Sequence, residues 1–445
     1  MPISPARIAA FDILLRLERE DSYASELLHS SHYAILSSAD HGLTTELVMG
    51  VLRWRSLLDK QIAERSSQKI ARLDLAVLIA LRLAAYQLLF LNRVPERAAV
   101  HESVELVKRA RKRSAVPFAN AVLRKFAAVT RDRDHAATIA NAKMSSELAD
   151  YSAHPNWLVE RWIQEFGFEA AKEVCAYDQR VPVTTISVSD PAIADELRRH
   201  KIQLSPGRLL ASAYRVVSGD LASTRPFRDG QVVVQDEGSQ LVSLLVGQGK
   251  NILDCCAAPG GKTRTLAERN PNASIVAMDL HPHRARLLRK LVVAPNVQVI
   301  AADVRHLPLN TLFDRVLADV PCSGTGTLAR NPEIKWRLRL EDLADLQARQ
   351  LAILQSAMQR VSSGGRLVYS TCSLEKEENS VVVEKAMSVD RSFRVLDCRA
   401  ELERLRAQGE LRWEHVDSLI SGLYLRTIPG LHPCDGFFAA ILEKI

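Results

Sequence analysis

From residue 4 to about residue 130, apolar side chains recur every three or four positions. The series runs through Ile8, Phe11, Leu14 and Leu15, then Leu43 to Leu58, Leu75 to Leu91, Val100 to Val107 and Phe118 to Phe126. This spacing predicts helices throughout, packed as an all-α domain. Asn92-Arg93-Val94-Pro95 and Val116-Pro117 interrupt the pattern. Leu75 to Leu91 is apolar on all sides but holds Arg82 and Gln87. It falls short of the ~18 uncharged apolar residues of a membrane span and reads as a helix buried in a bundle. Arg131 to Glu147 is polar and Ala-rich and reads as a linker with some helical character.

The pattern then changes. Tyr151 to Phe168 reads as a helix, β-branched Val181 to Val188 as a strand, Asp195 to His200 as a helix and Ala213 to Val217 as a strand. Together these make a small α+β unit. From Gln235 onward strands and helices alternate. The strands are Asn251–Cys256, Ser274–Asp279, Val297–Asp303, Phe313–Val320 and Arg366–Tyr369, with a last one at Phe437–Leu442. Basic helix 282–291 follows the second strand, and long helix 340–361, stopped by Gly365, precedes the fifth. Such alternation predicts a parallel, doubly wound α/β sheet, whose ligands bind beyond the carboxyl ends of the strands. The expected organisation is multidomain: all-α 1–135, linker and α+β unit 136–235, α/β 236–445.

Composition narrows the class. Of 445 residues, 47% are hydrophobic and 25% charged, which suits packed cores and argues against a disordered chain. The N-terminus shows no secretion signal. The seven cysteines are odd in number, and no two are spaced Cys-x-x-Cys. Reduced thiols in the cytoplasm, without a metal site or disulfide framework, are the expectation. No membrane and no obligate protein partner is expected either. Net charge is +7, and residues 1–150 hold 22 Lys/Arg against 17 Asp/Glu, hence +5 of it. Lys108 to Lys125 holds seven cations and no acid. A solvated helix face explains any single basic run, but this density also suits a polyphosphate backbone.

The first α/β strand runs into Cys256-Ala257-Ala258-Pro259-Gly260-Gly261-Lys262. A glycine turn entering a helix brings backbone N–H groups to a ligand. A P-loop needs Gly where Cys256 stands, and Pro259-Gly260-Gly261 is not the dinucleotide fingerprint. S-adenosylmethionine remains. Asp279, ending the second strand, can accept from both ribose hydroxyls, and Asp303, ending the third, places its side chain or backbone near an adenine amino group. One such Asp would be an ordinary helix cap; two in register after a glycine turn favour the adenosyl ligand. Arg284, on the basic helix, is counted with this donor set.

Asp319-Val320-Pro321-Cys322-Ser323 and Tyr369-Ser370-Thr371-Cys372-Ser373 put two cysteines at the ends of adjacent predicted strands. A lone strand-end cysteine is usually a small packing residue. Two facing one crevice fit the C5 methylation of a pyrimidine. There a thiolate must add to C6 before C5 can attack a methyl group, and a base must then take the C5 proton.

The glycine turn, the Asp319-to-Gly324 segment, Thr371-Cys372-Ser373 and Asp435-Gly436-Phe437-Phe438 together resemble the RNA cytosine-C5 methyltransferases. Thr45 to Arg53, Arg93-Val94-Pro95 and Phe118 to Arg124 resemble the NusB-like RNA-binding domain. That fusion is similar to the bacterial 16S rRNA cytosine-C5 methyltransferases of the Sun/Fmu (RsmB) type. The resemblance covers essentially the whole chain; Met49, where an aromatic is usual, is the one departure. It implies a Rossmann-like methyltransferase domain dependent on S-adenosylmethionine, with 16S rRNA or a small-subunit assembly intermediate as partner. It also implies that Cys372 is the nucleophile, that Cys322 assists product release, and that Asp319 and Lys262 lie near base and donor. A tRNA cytosine-C5 methyltransferase and a non-catalytic RNA-binding or assembly factor are the rival readings.

Overall fold

The computed structural model describes residues 3–20, 22–127, 135–188, 190–307 and 310–445. Arg131 to Asp134 of the expected linker lie outside them. The chain forms two compact units, Met1–Val181 with Leu328–Arg337, and Pro182–Thr327 with Leu338–Ile445.

The first unit is helical. It opens with α1 (Pro5–Leu17), α2 (Ala24–Leu28), α3 (Ser38–Arg53), α4 (Arg55–Ser66), α5 (Leu75–Phe90), α6 (Glu96–Arg109) and α7 (Val116–Ala127), with α5 at the centre. Every residue of α5 from Ala76 to Leu88 is buried. Its Arg82 is tolerated there because Asp59 takes the guanidinium with two hydrogen bonds, at 2.7 and 2.8 Å. No described helix is long and apolar enough to cross a membrane.

Four further helices belong to this unit: α8 (His135–Ala140), α9 (Ser145–Ser152), α10 (Asn156–Phe166) and α11 (Phe168–Asp178). The division expected at residue 135 is thus drawn differently by packing, because Leu148, Leu158, Trp162 and Val174 are buried. The single helix expected from Tyr151 to Phe168 is broken. Ala153 turns left-handed, Pro155 starts α10, and Gly167 at φ 84° ends it.

The last piece of the helical unit comes from far along the chain. Leu328–Arg337, which closes on the single helical turn Ile334–Arg337, is a strap that caps helix ends. Arg337 donates to the carbonyl of Leu17 (2.9 Å), the last residue of α1. Trp336 donates to Leu52 (2.6 Å) and Lys335 to Arg53 (2.9 Å), the last two residues of α3. Lys335 also donates to Ala153 (3.0 Å), just past α9, and Glu333 accepts from the first N–H of α2 at 2.9 Å. Carbonyls that a helix end leaves without partners are thereby satisfied, and Arg337 brings its charge to the end of α1, where the macrodipole favours it.

The second unit opens with a small antiparallel sheet in the order β2-β3-β1-β4. Its strands are β1 (Thr185–Ser187), β2 (Gln203–Pro206), β3 (Ala213–Ser218) and β4 (Val233–Val234), with α12 (Pro191–Arg199) and α13 (Arg225–Arg228) beside them. Ile186, Leu197, Ile202 and Val232 form its core.

The large sheet has nine strands: β5 (Asn251–Asp254), β6 (Ser274–Asp279), β7 (Val297–Ala301), β8 (Phe313–Asp319), β9 (Val361–Thr371), β10 (Phe393–Leu396), β11 (Ile420–Ser421), β12 (Tyr424–Thr427) and β13 (Phe437–Lys444). The order is β11-β12-β13-β9-β8-β5-β6-β7, with β10 also on β13. Strands β5 to β9 are parallel, as expected. The expectation of a wholly parallel sheet fails at the other edge, where β10 to β13 pair antiparallel. Only nine residues separate Thr427 from Phe437, too few for a parallel crossover.

Helices α14 (Glu237–Val246), α15 (Gly261–Arg269), α16 (Pro282–Leu291), α18 (Asp342–Met358), α19 (Ser380–Val389) and α20 (Cys398–Ala407) cover the sheet, the strap's turn Ile334–Arg337 being α17. Neighbouring Ile252 and Leu253 pack into different cores, so both faces of β5 are buried. Helix α18 ends at Met358 and β9 begins at Val361, earlier than the predicted Gly365 stop. Gly364 and Gly365 lie inside that strand instead. Strand β5 sits between β6 and β8, so the connections diverge there and open a crevice at the carboxyl ends.

Candidate active site

The glycine turn leaves the end of β5 and enters α15. Gly260 has φ 116°, a conformation strained for any residue with a side chain, and a Cβ on it would lie 2.6 Å from Val292 and 2.7 Å from Leu288 and force them aside. The turn is tied to the next strand by Ala257 N–H to Met278 O at 2.7 Å. Behind it, Thr263 donates to the buried Asp254 at 2.7 Å. Burial outweighs that hydrogen bond and pushes the Asp254 carboxyl up to about 7.

Asp279 ends β6 and is buried. One oxygen accepts from His281 N–H at 3.0 Å; the other lies 3.7 Å from Arg284, which itself donates to Ala258 O at 3.0 Å. Arg284 thus links the glycine turn to Asp279. Asp303 follows β7, and its carboxylate is held by Arg305 through side-chain and backbone bonds that lower its pKa.

Asp319 ends β8 and receives Lys262 Nζ on one oxygen and Ser370 Oγ on the other, both at 2.7 Å. Burial opposes the Lys262 charge, but Asp319 overcomes it and the ammonium's pKa is raised. Past the ends of β8 and β9, Cys322 Sγ and Cys372 Sγ are 3.4 Å apart. The hydrogen bond to Cys372, then burial, pushes the Cys322 thiol well above its ordinary range.

The loops carrying the cysteines are laced together. Gly326 N–H donates to Cys372 O at 2.9 Å, and Gly436 N–H to Gly326 O at 2.8 Å. A Cβ on Gly326 would sit 2.3 Å from Gly436 O, so the close approach needs glycine. This gives Asp435-Gly436-Phe437-Phe438 its place beside both cysteine loops.

The 16S rRNA methyltransferase RsmB/F family matches residues 242–443, and the NusB family matches residues 4–128. A probable ribosomal RNA small subunit methyltransferase B from Bacillus subtilis is 32% identical over 460 residues, covering 100% of both chains. The ribosomal RNA small subunit methyltransferase B of Pseudomonas syringae is 31% identical over 428 residues, covering 91% of this chain and 90% of its own. The chain belongs to the RsmB/F family. Its fold is similar to the crystal structure of PH0851, with TM-score 0.79, 23% identity and 100% of both chains covered. It also resembles NSun6 from Pyrococcus horikoshii, solved with SFG, with TM-score 0.56 and 20% identity over 66% of this chain and 99% of that one.

RsmB/F proteins are rRNA methyltransferases dependent on S-adenosylmethionine. In this member, the residues from Cys256 to Lys262, with Asp279, Arg284, Asp303 and Asp319, all lie at or just beyond the carboxyl ends of β5 to β8. The donor set fits an adenosyl ligand. Asp279 keeps an oxygen outside hydrogen-bonding reach of Arg284, and the glycine turn presents backbone. Sequence reasoning missed Asp254 and Ser370; it also missed Glu378, which accepts from Ser323 N–H and Gln350 Nε2 at 2.8 Å, and Asn379, which accepts from Thr371 Oγ1 at 2.6 Å. The run Glu377-Glu378-Asn379, close after Cys372 and ahead of an apolar helix, was the available signal.

Proposed function

We propose that this protein methylates C5 of a cytidine in 16S rRNA, in the cytoplasm, through a covalent bond between Cys372 and C6 of the base. The observation that carries this reading is the pair of sulfurs 3.4 Å apart, past adjacent parallel strands, beside the Lys262–Asp319 ion pair.

The target cytidine would leave its stack, since its C5–C6 edge must meet a sulfur and a methyl group together. Cys372 adds to C6 as a thiolate, and the electron pair moves to C5. The glycine turn and Asp279 would hold S-adenosylmethionine, whose methyl group would pass to the electron pair at C5 with S-adenosylhomocysteine as the leaving group. C5 then bears both methyl and proton. Loss of that proton to a base returns the electron pair to C5–C6, and Cys372 departs as thiolate. Cys322 assists this release. Lys262, its charge kept by Asp319, offsets negative charge at Cys372 and on the base.

The helical unit supplies a surface for flanking RNA. A groove of about 510 Å³ between α6 and α7 is lined by Arg97, His101, Lys108, Asn120 and Arg124 among others. Within the basic run, Lys108, Arg109 and Lys112 already pair with Glu105, Asp12 and Asp74, while Arg111 and Arg113 are exposed.

The deciding experiment compares two variants. Cys372→Ala should form neither 5-methylcytidine nor an adduct. Cys322→Ala should accumulate a protein–RNA adduct that survives denaturing electrophoresis and needs both RNA and methyl donor. Swapped phenotypes would make Cys322 the nucleophile, and full activity in both would remove thiol catalysis.

A further inference from the structure

Cys322 and Cys372 share one small volume, yet the proposed chemistry asks different things of them. Glu378, which is fully buried, touches both of their loops. One of its oxygens accepts from Ser323 N–H and from Gln350 Nε2, both at 2.8 Å. The other accepts from Ser323 Oγ and Ser373 Oγ, whose hydroxyls are themselves 2.9 Å apart. Four donors fill the acceptor sites of an ionised carboxylate.

Neighbouring groups extend the clamp. Gln350 also donates to Pro321 O at 3.0 Å, and the Tyr369 hydroxyl donates to Glu378 O. Asn379 accepts from Thr371 Oγ1 at 2.6 Å and donates to Ser373 O at 2.9 Å. The residues on either side of Cys372 and the residue after Cys322 are therefore fixed by two adjacent side chains.

We propose that Glu378 is the positioning residue that gives the two thiols different roles: it sets their separation through Ser323 and Ser373, and its negative charge keeps Cys322 as the proton-bearing sulfur, leaving Cys372 to attack. This inference rests on the cysteine mechanism proposed above. The titratable groups acting on Cys322 are Cys372 and Glu378, and the charge of Cys322 in turn helps raise the buried Tyr369. After the Cys372 hydrogen bond, burial and the Cys372 charge, the charge of Glu378 adds to the upward push on Cys322. Lys262 works in the opposite sense, since its charge interacts favourably with Cys372 as well as Asp319. Like charges in a poorly solvated site repel, so the Glu378 carboxylate adds to the forces that disfavour a thiolate at Cys322.

The test is alkylation of the full-length protein by iodoacetamide without RNA, with the rate at each cysteine followed by peptide mass spectrometry at about pH 9. Glu378→Gln should speed alkylation of Cys322 by roughly tenfold, the equivalent of about one pH unit, and should slow single-turnover methylation. Glu378→Asp keeps the charge but shortens its reach, so it should slow methylation while leaving the Cys322 alkylation rate nearer wild type. An unchanged Cys322 rate in Glu378→Gln overturns the proposal. If that variant does not fold, Gln350→Leu serves. It strips a donor but leaves the charge less compensated, so alkylation of Cys322 should slow; an unchanged or faster rate overturns the proposal. Failure of the underlying mechanism looks different. In that case Cys372→Ala and Cys322→Ala both methylate RNA, whatever Glu378→Gln does to the alkylation profile.

Discussion

Each compact unit holds a lysine withdrawn from solvent, and the two are stabilised in opposite ways. Lys262, in the catalytic unit, has a side chain 14% exposed and a carboxylate at 2.7 Å. Asp319 outweighs burial and the lysine's pKa is raised. Lys335, in the helical unit, is 2% exposed and hydrogen-bonded to the carbonyls of Arg53 and Ala153. There burial outweighs the charge of Asp178, and the pKa falls to about 7. A counter-charge preserves an ammonium for use in chemistry, whereas carbonyl dipoles suffice for a cap. The partner, more than the depth, decides what a buried lysine is for.

Removing each lysine should separate the two roles. Lys262→Met should lower the methylation rate by ~10²–10³-fold, the usual loss for an electrostatic stabiliser. A rate near wild type would reduce Lys262 to a structural role. Asp319→Asn should make Lys262 resemble Lys335. With burial opposed only by the charges of Cys372 and Asp254 its pKa drops, so activity should decline as pH rises through the new value, and a pH–rate profile checks this.

Lys335 should announce itself in stability instead. The unfolded chain titrates it near 10.5 and the folded chain near 7. Between those values the unfolded state holds a proton that the folded state lacks, so this lysine makes stability rise with pH, by at most about 1.4 kcal/mol per pH unit. Below pH 7 its contribution is level. Lys335→Met should flatten that rise, and urea unfolding at pH 7 and at pH 9 would measure the difference. His154, pushed down by burial and then by the Lys335 charge, acts in the window below its ordinary 6.5.

Two smaller effects complete the contrast between buried and surface charge. Asp279→Ala should weaken donor binding at least about tenfold, since a hydrogen bond to a charged group is worth ~1.5–3 kcal/mol; calorimetry on the folded variant reads it. Reversing the charges of Arg111, Lys112 and Arg113 in the full chain should reduce the salt slope of RNA binding by about one for each phosphate no longer neutralised. A slope equal to wild type would mean these cations only face solvent.

Much of this organisation is visible in local sequence. The 3.6-residue rhythm of the first 130 residues, the glycine turn and the strand-end Asp279 and Asp319 are all short-range signals. Cys322 and Cys372 stand out because each follows a predicted strand and precedes a Ser, and their separate roles came only from the family resemblance. What stayed hidden is the pairing of distant segments. Nothing around Glu378 says that Ser323, 55 positions earlier, will donate to it. Nothing around Lys335 says that Arg53, 282 positions away, will offer its carbonyl. The antiparallel edge is hard to foresee because β10, β11 and β12 are each four residues or fewer. Asp303 shows the other limit: strand-end placement was legible, but not that Arg305 would occupy its carboxylate.

The strap from Leu328 to Arg337 also sets an order of events during synthesis. The rest of the helical unit is complete in sequence by Val181, yet the groups that cap α1, α3 and α9 are made some 150 residues later. At ~5–20 residues per second, that interval is roughly 8–30 s on the ribosome. Throughout it the nascent helices wait with open carbonyls, and the Cys322 loop is translated before the strap that follows it can dock. The helical unit therefore reaches its final form only after the catalytic unit has half emerged, and a nascent chain halted between residues 181 and 328 should show weaker protection at the ends of α1, α3 and α9 than one carried past residue 337.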